Sequence, residues 1–480
     1  MRLEQQERAT VKPLRSIAEQ AFSRAAGARL LLGNDVILLK DARQNYPAWL
    51  SAIAAARRHV YFESYIIHED AIGREFADAL IAKAREGVRV RLIYDWLGGL
   101  GKASRGFWNR MRAGGIEVRC YNPPRFDSPF GWLSRDHRKM LSVDSEIGFV
   151  SGLCVGRMWA GVPEKHIEPW RDTGVEIHGP AVAEIERAFA HVWAVIGTPL
   201  PERELAEIER QPPAGDVSLR VVASVPATAA MLRLDQLIAA LARKRLWLTD
   251  AYYAATSSYV QALKAAARDG VDVRLLVPNG TDIPLLRPLS RTGYRPLLLA
   301  GVRVFEWNGT MLHAKTAVAD GKWGRVGSTN LNIASWLGNY ELDAVIEDEH
   351  FAQQMEQMYL EDLGNATEVV LDAKRKVHAA GEPRHRAHLG SGGGSASKAA
   401  AGAVRMSNAI GAAFGGRRPL EPVEARLTAS VGLILLALAV LFIFFPHVLV
   451  YPAIAILIWV GGALLYRSYK LRRGLTSDRE

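Results

Sequence analysis

The chain has 480 residues, 49% of them hydrophobic, and a formal net charge of +10. That length is enough for roughly two to four domains with large buried cores. Two cysteines, Cys120 and Cys154, are too few for a disulfide framework and favour a reducing compartment. Ten Lys or Arg against three acids fall between Lys374 and Arg426, so +7 of the charge lies in that segment. The rest of the chain is close to neutral, which argues against a dedicated nucleic-acid groove.

Residues 1–27 are a lead-in without an apolar core segment, so we expect no signal peptide. From residue 28 to 210, apolar strands alternate with helical patterns, which predicts an α/β layered domain. The run LLLGNDVILL predicts a pair of strands, and HVYFESYI, VRVRLIYD and GIEVRCYN predict single ones. The predicted helices between them are Tyr46–Arg57, Gly73–Glu86 and Phe107–Ala113.

A histidine-containing hairpin, HRKMLSVDSEIGFVSGLC, begins at His137. His137 and Lys139 are two residues apart, so on a strand their side chains point to the same face. The pair Asp144-Ser145 is the predicted turn, which would set His137 opposite Gly152. The segment WRDTGVEIHGP follows the hairpin and contains Asp172.

After the linker QPPAG, residues 216–372 repeat this order. ARKRLWLTDAYY, ARDGVDVRLLVP and AGVRVFEWN repeat, in the same sequence, ARRHVYFESY, AREGVRVRLIYD and GGIEVRCYN of the first unit. Three repeats in one order predict a gene-duplicated pair of domains related by a pseudo-twofold axis. Such a pair would bring its two hairpins together at the domain interface, where ligand sites commonly form.

The second hairpin, HAKTAVADGKWGRVGSTN, begins at His313. The pair Asp320-Gly321 is a strong turn signal and would set His313 opposite Ser328. Histidine can act as nucleophile or general acid near neutral pH, and Lys315 supplies positive charge for phosphate oxygens. Glu341 lies 28 residues after His313, as Asp172 lies 35 after His137.

These residues resemble the phospholipase D superfamily, which has a duplicated HxKxxxxD motif followed by a Gly-Gly or Gly-Ser-x-Asn element. The second copy matches in full, with His313, Lys315, Asp320, Gly327, Ser328 and Asn330. The first keeps His137, Lys139, Asp144 and Gly152, but has Ser151 and Cys154 in place of the Gly and the Asn.

The resemblance implies two duplicated α/β sandwich domains and a site that needs neither a cofactor nor a metal. It assigns the His, Lys and Asp residues of both motifs to catalysis, and it assigns phosphate binding or support to Gly152, Gly327, Ser328 and Asn330. It nominates Asp172 and Glu341 as the acids that fix the tautomers of the histidines. The simpler alternatives are a strand-edge surface acid for Asp172 and plain turn residues for Asp144 and Asp320.

After the second domain the composition changes. Residues 373–426 predict a basic, flexible linker. Leu427–Phe445 and Val448–Tyr466 each have 19 uncharged residues, which predicts a transmembrane hairpin over 427–466. Lys and Arg flank it on both sides, so the catalytic domains and the tail at 467–480 should be cytoplasmic. A hairpin that enters the bilayer without crossing it is the alternative.

Within the superfamily, the strings RDHRK and WRDT with a C-terminal membrane segment resemble the bacterial cardiolipin synthases and related phosphatidyltransferases. The resemblance implies transfer of a phosphatidyl group through a phosphohistidine at the inner membrane. His137 is taken as nucleophile and His313 as general acid, although the sequence does not separate them. The expected partners are the membrane and phosphatidylglycerol, with phosphatidylethanolamine as a second option, and no nucleic acid. The alternatives are hydrolysis to phosphatidic acid, a nuclease, and a degenerate membrane-organising protein.

Overall fold

The computed structural model describes residues 19–124, 134–162, 164, 167–279, 293–371 and 377–379, and most of 433–477. Apart from Val377–Ala379, the basic linker predicted over 373–426 lies outside the described residues, as does about half of the first apolar run. The strands in the first half are β1 (Leu31–Lys40), β2 (His59–Ser64), β3 (Arg89–Asp95), β4 (Glu117–Tyr121), β5 (Arg135–Asp136), β6 (Lys139–Val143), β7 (Ile147–Ser151) and β8 (Thr173–His178). The helices there are α1 (Asp41–Ala55), α2 (Ala71–Arg85), α3 (Trp96–Gly99), α4 (Arg105–Ala113), α5 (Arg157–Ala160) and α6 (Ala181–Val195).

The second half repeats this order after short 3-10 helices at Glu202–Glu204 and Ile208–Arg210. Its strands are β9 (Val217–Ser224), β10 (Arg245–Thr249), β11 (Asp272–Pro278), β12 (Arg303–Trp307), β13 (Thr316–Ala319), β14 (Trp323–Gly327), β15 (Asn339–Glu347), β16 (Ala366–Leu371) and β17 (Val377–Ala379). Its helices are α7 (Ala230–Leu241), α8 (Ser257–Arg268), a π-helical turn at Ala334–Gly338, α9 (Glu349–Leu363) and the C-terminal α10 (His447–Ser477).

The strands form two related mixed sheets. The first has the order β4-β3-β2-β6-β7-β8-β1, and the second has β17-β16-β12-β11-β10-β13-β14-β15-β9. In each sheet the strands joined through helices are parallel, and those of the histidine hairpin are antiparallel. Strand β1 also pairs with β9, which links the two sheets. The predicted pair of repeated α/β domains is therefore confirmed.

Burial explains why the two sheets associate. Strand β2 is buried along its whole length, as expected for a strand with both faces covered. One hydrophobic cluster contains residues of both repeats, among them Phe189 on α6 and Phe351 on α9. These two helices therefore pack between the repeats and fix the relative positions of the two hairpins.

Two local predictions are wrong. The run LLLGNDVILL forms the single strand β1, which turns from β9 to β8 through a register shift near Asn34. Both hairpins have three-residue loops, because Val143 pairs with Ile147 and Ala319 with Trp323. Two successive residues in each loop have positive φ, 56° and 57° at Asp144-Ser145 and 54° and 65° at Asp320-Gly321. The register consequently differs by one residue from the expected pairing of His137 with Gly152 and of His313 with Ser328.

Helix α10 contains the second of the two predicted apolar runs. In the part of the chain that the structure describes, no helix combines the length and the apolar character needed to cross a bilayer.

Candidate active site

Each histidine is held by a backbone hydrogen bond to the opposite repeat. The N–H of His137 donates to the carbonyl of Tyr340 (2.9 Å), and that of His313 donates to the carbonyl of Arg171 (2.7 Å). Short parallel pairings flank both bonds, between β5 and β15 and between Arg171 and Leu312. The histidines therefore lie at the junction of the two repeats.

These backbone bonds explain how the acids reach the imidazoles. The residue after Tyr340 is Glu341, whose carboxylate lies 2.9 and 3.1 Å from Nδ1 of His137. Asp172 follows Arg171 in the same way, and its Oδ2 lies 2.6 Å from Nδ1 of His313. Each histidine thus pairs with the acid of the other repeat. A carboxylate on Nδ1 fixes the tautomer that leaves Nε2 available for chemistry.

The motif lysines are buried beside the histidines. Lys139 donates to the carbonyl of His137, and Nζ of Lys315 lies 2.9 Å from Nδ1 and 3.2 Å from Nε2 of His313. Burial lowers the pKa of Lys315 to about 8, with Asp172 acting in the opposite direction and Lys139 reinforcing the decrease. Two cations therefore face one small region of the interface.

Burial also keeps both imidazoles neutral at neutral pH. It lowers the pKa of His137 to about 4 and that of His313 to about 3, in spite of the opposing carboxylates. Burial alone would raise the pKa of Asp172, but Lys315 and His313 lower it to about 2. Burial likewise opposes ionisation of Glu341, yet His137 and then Lys139 hold its pKa below the usual value. The site therefore combines ionised acids with unprotonated imidazoles, as a nucleophilic histidine requires.

His137 and His313 line one pocket. Aromatic rings form much of its wall. The ring of Tyr65 lies edge-on to that of His137, with 4.9 Å between the ring centroids. The ring centroids of Trp159 and Trp170 lie 5.5 and 5.6 Å from that of His313. The walls are thus largely apolar around two polar, reactive rings, which is typical of a small-molecule site.

Close packing explains the two motif glycines. A Cβ on Gly152 would lie 2.1 Å from Oδ1 of Asp172, and a Cβ on Gly327 would lie 2.4 Å from Oδ1 of Asp343. At Gly152 any side chain would therefore displace the acid that pairs with His313. The hydroxyl of Ser328 accepts from the N–H of Leu342 (2.9 Å) and holds the strand that carries Glu341.

The last motif position differs between the repeats. Asn330 is fully buried, and neither its Nδ2 nor its Oδ1 has a hydrogen-bond partner among the described residues. Cys154 occupies the equivalent position, is 1% exposed and lines the pocket. Burial raises the pKa of its thiol, so at neutral pH the group is an uncharged thiol.

The motif aspartates are not among the residues that line this pocket. Asp144 accepts from the backbone N–H groups of Arg57, Arg58 and His59 at 2.7 to 2.8 Å. Asp320 accepts at 2.8 to 2.9 Å from the equivalent N–H groups, those of Arg243, Lys244 and Arg245. Both carboxylates thus tie the hairpin loop to the start of a parallel strand, and the match between them is further evidence of duplication.

Comparison with known proteins identifies the family. The model described as "Cardiolipin synthase, PLD-like domain" matches residues 49–193 and 235–363. Cardiolipin synthase A of Pseudomonas entomophila (strain L48) is 33% identical over 359 residues, which cover 72% of this chain and 72% of that protein. The chain belongs to the cardiolipin synthase family of phospholipase D-like proteins. This confirms the resemblance and the phosphatidyltransferase assignment that the paired motifs predicted.

Other relatives agree with the family assignment. Cardiolipin synthase of Alkalihalophilus pseudofirmus is 30% identical over 336 residues, covering 69% of this chain and 66% of that protein. The crystal structure of phosphatidylserine synthase from Haemophilus influenzae Rd KW20 has a TM-score of 0.60 and 14% identity, and covers 74% of this chain and 93% of that one. At that identity the likeness shows a common fold.

In this cardiolipin synthase family member, two further residues were missed in the sequence. Arg138 lies between His137 and Lys139, and its buried guanidinium donates to the carbonyls of Glu341 (3.2 Å), Ala188 (2.6 Å) and Ser224 (3.1 Å). It therefore joins the repeats directly behind the His137 pair. The string RDHRK contained it, but nothing in the sequence indicated a target for its side chain. His68 lines the pocket and lies outside both motifs.

Proposed function

We propose that this chain is a cardiolipin synthase that moves a phosphatidyl group from one phosphatidylglycerol to another through a phosphohistidine. One observation carries the proposal: two neutral imidazoles, each oriented by a carboxylate of the other repeat, line a single pocket. That arrangement supplies a nucleophile and a proton carrier on either side of one phosphodiester.

In the first step, Nε2 of His137 attacks the phosphorus of the donor lipid. The bond from phosphorus to the glycerol headgroup breaks, and His313 gives the leaving oxygen a proton. The anionic phosphodiester favours the protonated form of His313 when it binds. His137 has both Glu341 oxygens at Nδ1, which supports its assignment as nucleophile.

In the second step, Nε2 of His313 takes the proton of the terminal hydroxyl of a second phosphatidylglycerol. The hydroxyl oxygen attacks phosphorus, and the phosphorus–nitrogen bond to His137 breaks. The products are cardiolipin and free glycerol, and two displacements retain configuration at phosphorus. Throughout, Lys139 and Lys315 stabilise charge on the non-bridging oxygens. Asn330 is a candidate donor to them, since its buried amide has no partner among the described residues.

The remaining features of the proposal concern placement. We propose domain limits of 28–210 and 216–372 and a basic linker over 373–426, of which Val377–Ala379 adds β17 to the second sheet. A membrane hairpin over 427–466 and the basic tail at 467–480 follow. The uncharged runs and their flanking basic residues support an inner-membrane location with the catalytic domains on the cytoplasmic side. Phosphatidylethanolamine is the alternative lipid partner.

Trapping the intermediate tests this mechanism. The full chain is mixed with phosphatidylglycerol labelled in its phosphate, quenched within one turnover, and digested for mapping of the label. We expect label on the His137 peptide of the wild type, none on the His137→Ala protein, and cardiolipin from neither His137→Ala nor His313→Ala. Label on the His137→Ala protein would reverse the roles of the two histidines. Cardiolipin formation by both variants would refute the proposed chemistry.

A further inference from the structure

The pocket is less symmetric than the motifs that line it. The N–H of His68 donates to the carbonyl of Val155 (2.9 Å), and the N–H of Ala254 makes the equivalent bond to Leu331 (3.1 Å). Val155 and Leu331 both lie 18 residues after the histidine of their own hairpin. His68 and Ala254 are therefore equivalent positions, and the first repeat has an imidazole where the second has a methyl group.

The imidazole of His68 is held in place without using its outer nitrogen. Nε2 is buried and has no hydrogen-bond partner among the described residues. A Cβ on Gly156 would lie 2.7 Å from Cδ2 of His68, so the ring packs directly against the backbone there. Burial and then the charge of Lys102 lower the pKa of His68, and Arg157 also lowers it while Asp70 opposes them. A buried polar nitrogen without a partner needs an explanation, and at the wall of the pocket a bound ligand is one.

Lys102 lines the same pocket as His68. Its carbonyl accepts from the N–H of Glu69 (2.9 Å), which attaches the Lys102 loop to the segment that carries His68. The carboxylate of Glu69 accepts instead from the N–H of Ser104 (2.8 Å). Within the described residues, Nζ of Lys102 has neither a hydrogen-bond acceptor nor an ion-pair partner. This cation is therefore available to a ligand.

We propose that His68 and Lys102 form a second anion subsite that binds the phosphodiester of the acceptor phospholipid. This inference rests on the proposed function, because it names the acceptor of that reaction. The donor lipid has one phosphate, which the motif residues Lys139 and Lys315 already neutralise. A phosphatidylglycerol acceptor brings a second phosphate, only three carbons from its attacking hydroxyl, into the same pocket. Neither water nor glycerol carries an anion, so the subsite would favour transfer to lipid.

The test compares three acceptors with the purified full chain in detergent–phosphatidylglycerol micelles. Cardiolipin formation reports transfer to the lipid acceptor, and the product with added glycerophosphoglycerol reports transfer to a soluble phosphodiester. Incorporation of labelled glycerol reports transfer to an acceptor without phosphate. The variants are His68→Ala and Lys102→Ala, with Lys102→Arg as the charge-preserving form. Lys322→Ala is the matched control, since Lys322 is 71% exposed at a hairpin tip and pairs with Glu349.

We expect His68→Ala and Lys102→Ala to lower transfer to both phosphodiester acceptors at least about tenfold, because each variant loses a hydrogen bond to a charged group. Incorporation of glycerol should fall by less than about twofold. Lys102→Arg should recover most of the transfer, and Lys322→Ala should match the wild type with all acceptors. A parallel loss with all three acceptors, or no loss, would overturn the inference. A loss with phosphatidylglycerol alone would also overturn it, because the residues would then recognise acyl chains. If the wild type neither forms cardiolipin nor incorporates glycerol, the proposed function itself fails.

Discussion

The crossed pairing of histidines and acids can be measured as a coupling free energy. His137→Ala removes the Nδ1–H that lies 2.9 and 3.1 Å from the carboxylate of Glu341, which is fully buried. Because His137 is neutral at pH 7, with a pKa of about 4, the lost contact is a neutral donor on a charged acceptor. Asn339 still donates to Oε1 of Glu341 (3.1 Å), but losing the imidazole donor to this buried charge should cost about 1.5–3 kcal/mol of unfolding free energy. Adding Glu341→Gln removes the buried charge and should restore most of this loss.

The wild type, His137→Ala, Glu341→Gln and the double variant form a double-mutant cycle. Urea denaturation of each full chain, followed by tryptophan fluorescence, gives the four unfolding free energies. We expect a coupling of about 1.5–3 kcal/mol between His137 and Glu341, and a similar one between His313 and Asp172. The control cycle combines His137→Ala with Asp320→Ala, whose carboxylate binds only backbone N–H groups at the tip of the other hairpin, and should be additive within about 0.5 kcal/mol. A coupling between His137 and Glu341 no larger than that of the control cycle would refute the crossed arrangement.

Two further predictions concern stability. Asp320→Ala removes the acceptor of three backbone N–H groups and should lower the unfolding free energy by about 1–3 kcal/mol. The kcat of the folded variant should stay within about twofold of the wild type. A loss of kcat without a loss of stability would contradict this prediction. His137 has a folded pKa of about 4 against 6.5 for an ordinary histidine, so the unfolded chain binds more protons and stability falls as the pH drops from about 6.5 to about 4. This pKa shift corresponds to roughly 3 kcal/mol. Between about pH 6.5 and pH 4, the unfolding free energy of His137→Asn should therefore fall less steeply than that of the wild type. Parallel plots of unfolding free energy against pH for the two proteins would contradict this prediction.

Much of the fold could be predicted from the sequence. The two HxK strings and the repeated strand patterns predicted a duplicated α/β architecture, because strand and helix periodicities are local properties of the chain. They did not predict the loop length of the hairpins, since Asp144-Ser145 and Asp320-Gly321 suit either two-residue or three-residue connections. The difference of one residue changes which side chain faces each histidine.

The crossed contacts could not be derived from local pattern. Glu341 lies 204 residues from His137 and Asp172 lies 141 from His313, and nothing in either hairpin encodes which acid approaches it. That choice depends on the packing of α6 and α9 between the repeats. His68 escaped notice for a similar reason, because it belongs to neither motif and is placed at the pocket by a backbone bond to Val155, 87 residues further along the chain.

Lipid analysis of cells that lack cardiolipin is the most direct test of the account. Such cells would express either the wild-type chain or His313→Ala at equal membrane levels. The account predicts that cardiolipin appears with the wild type and is absent with His313→Ala. Cardiolipin at the same level from both proteins, or from neither, would contradict it.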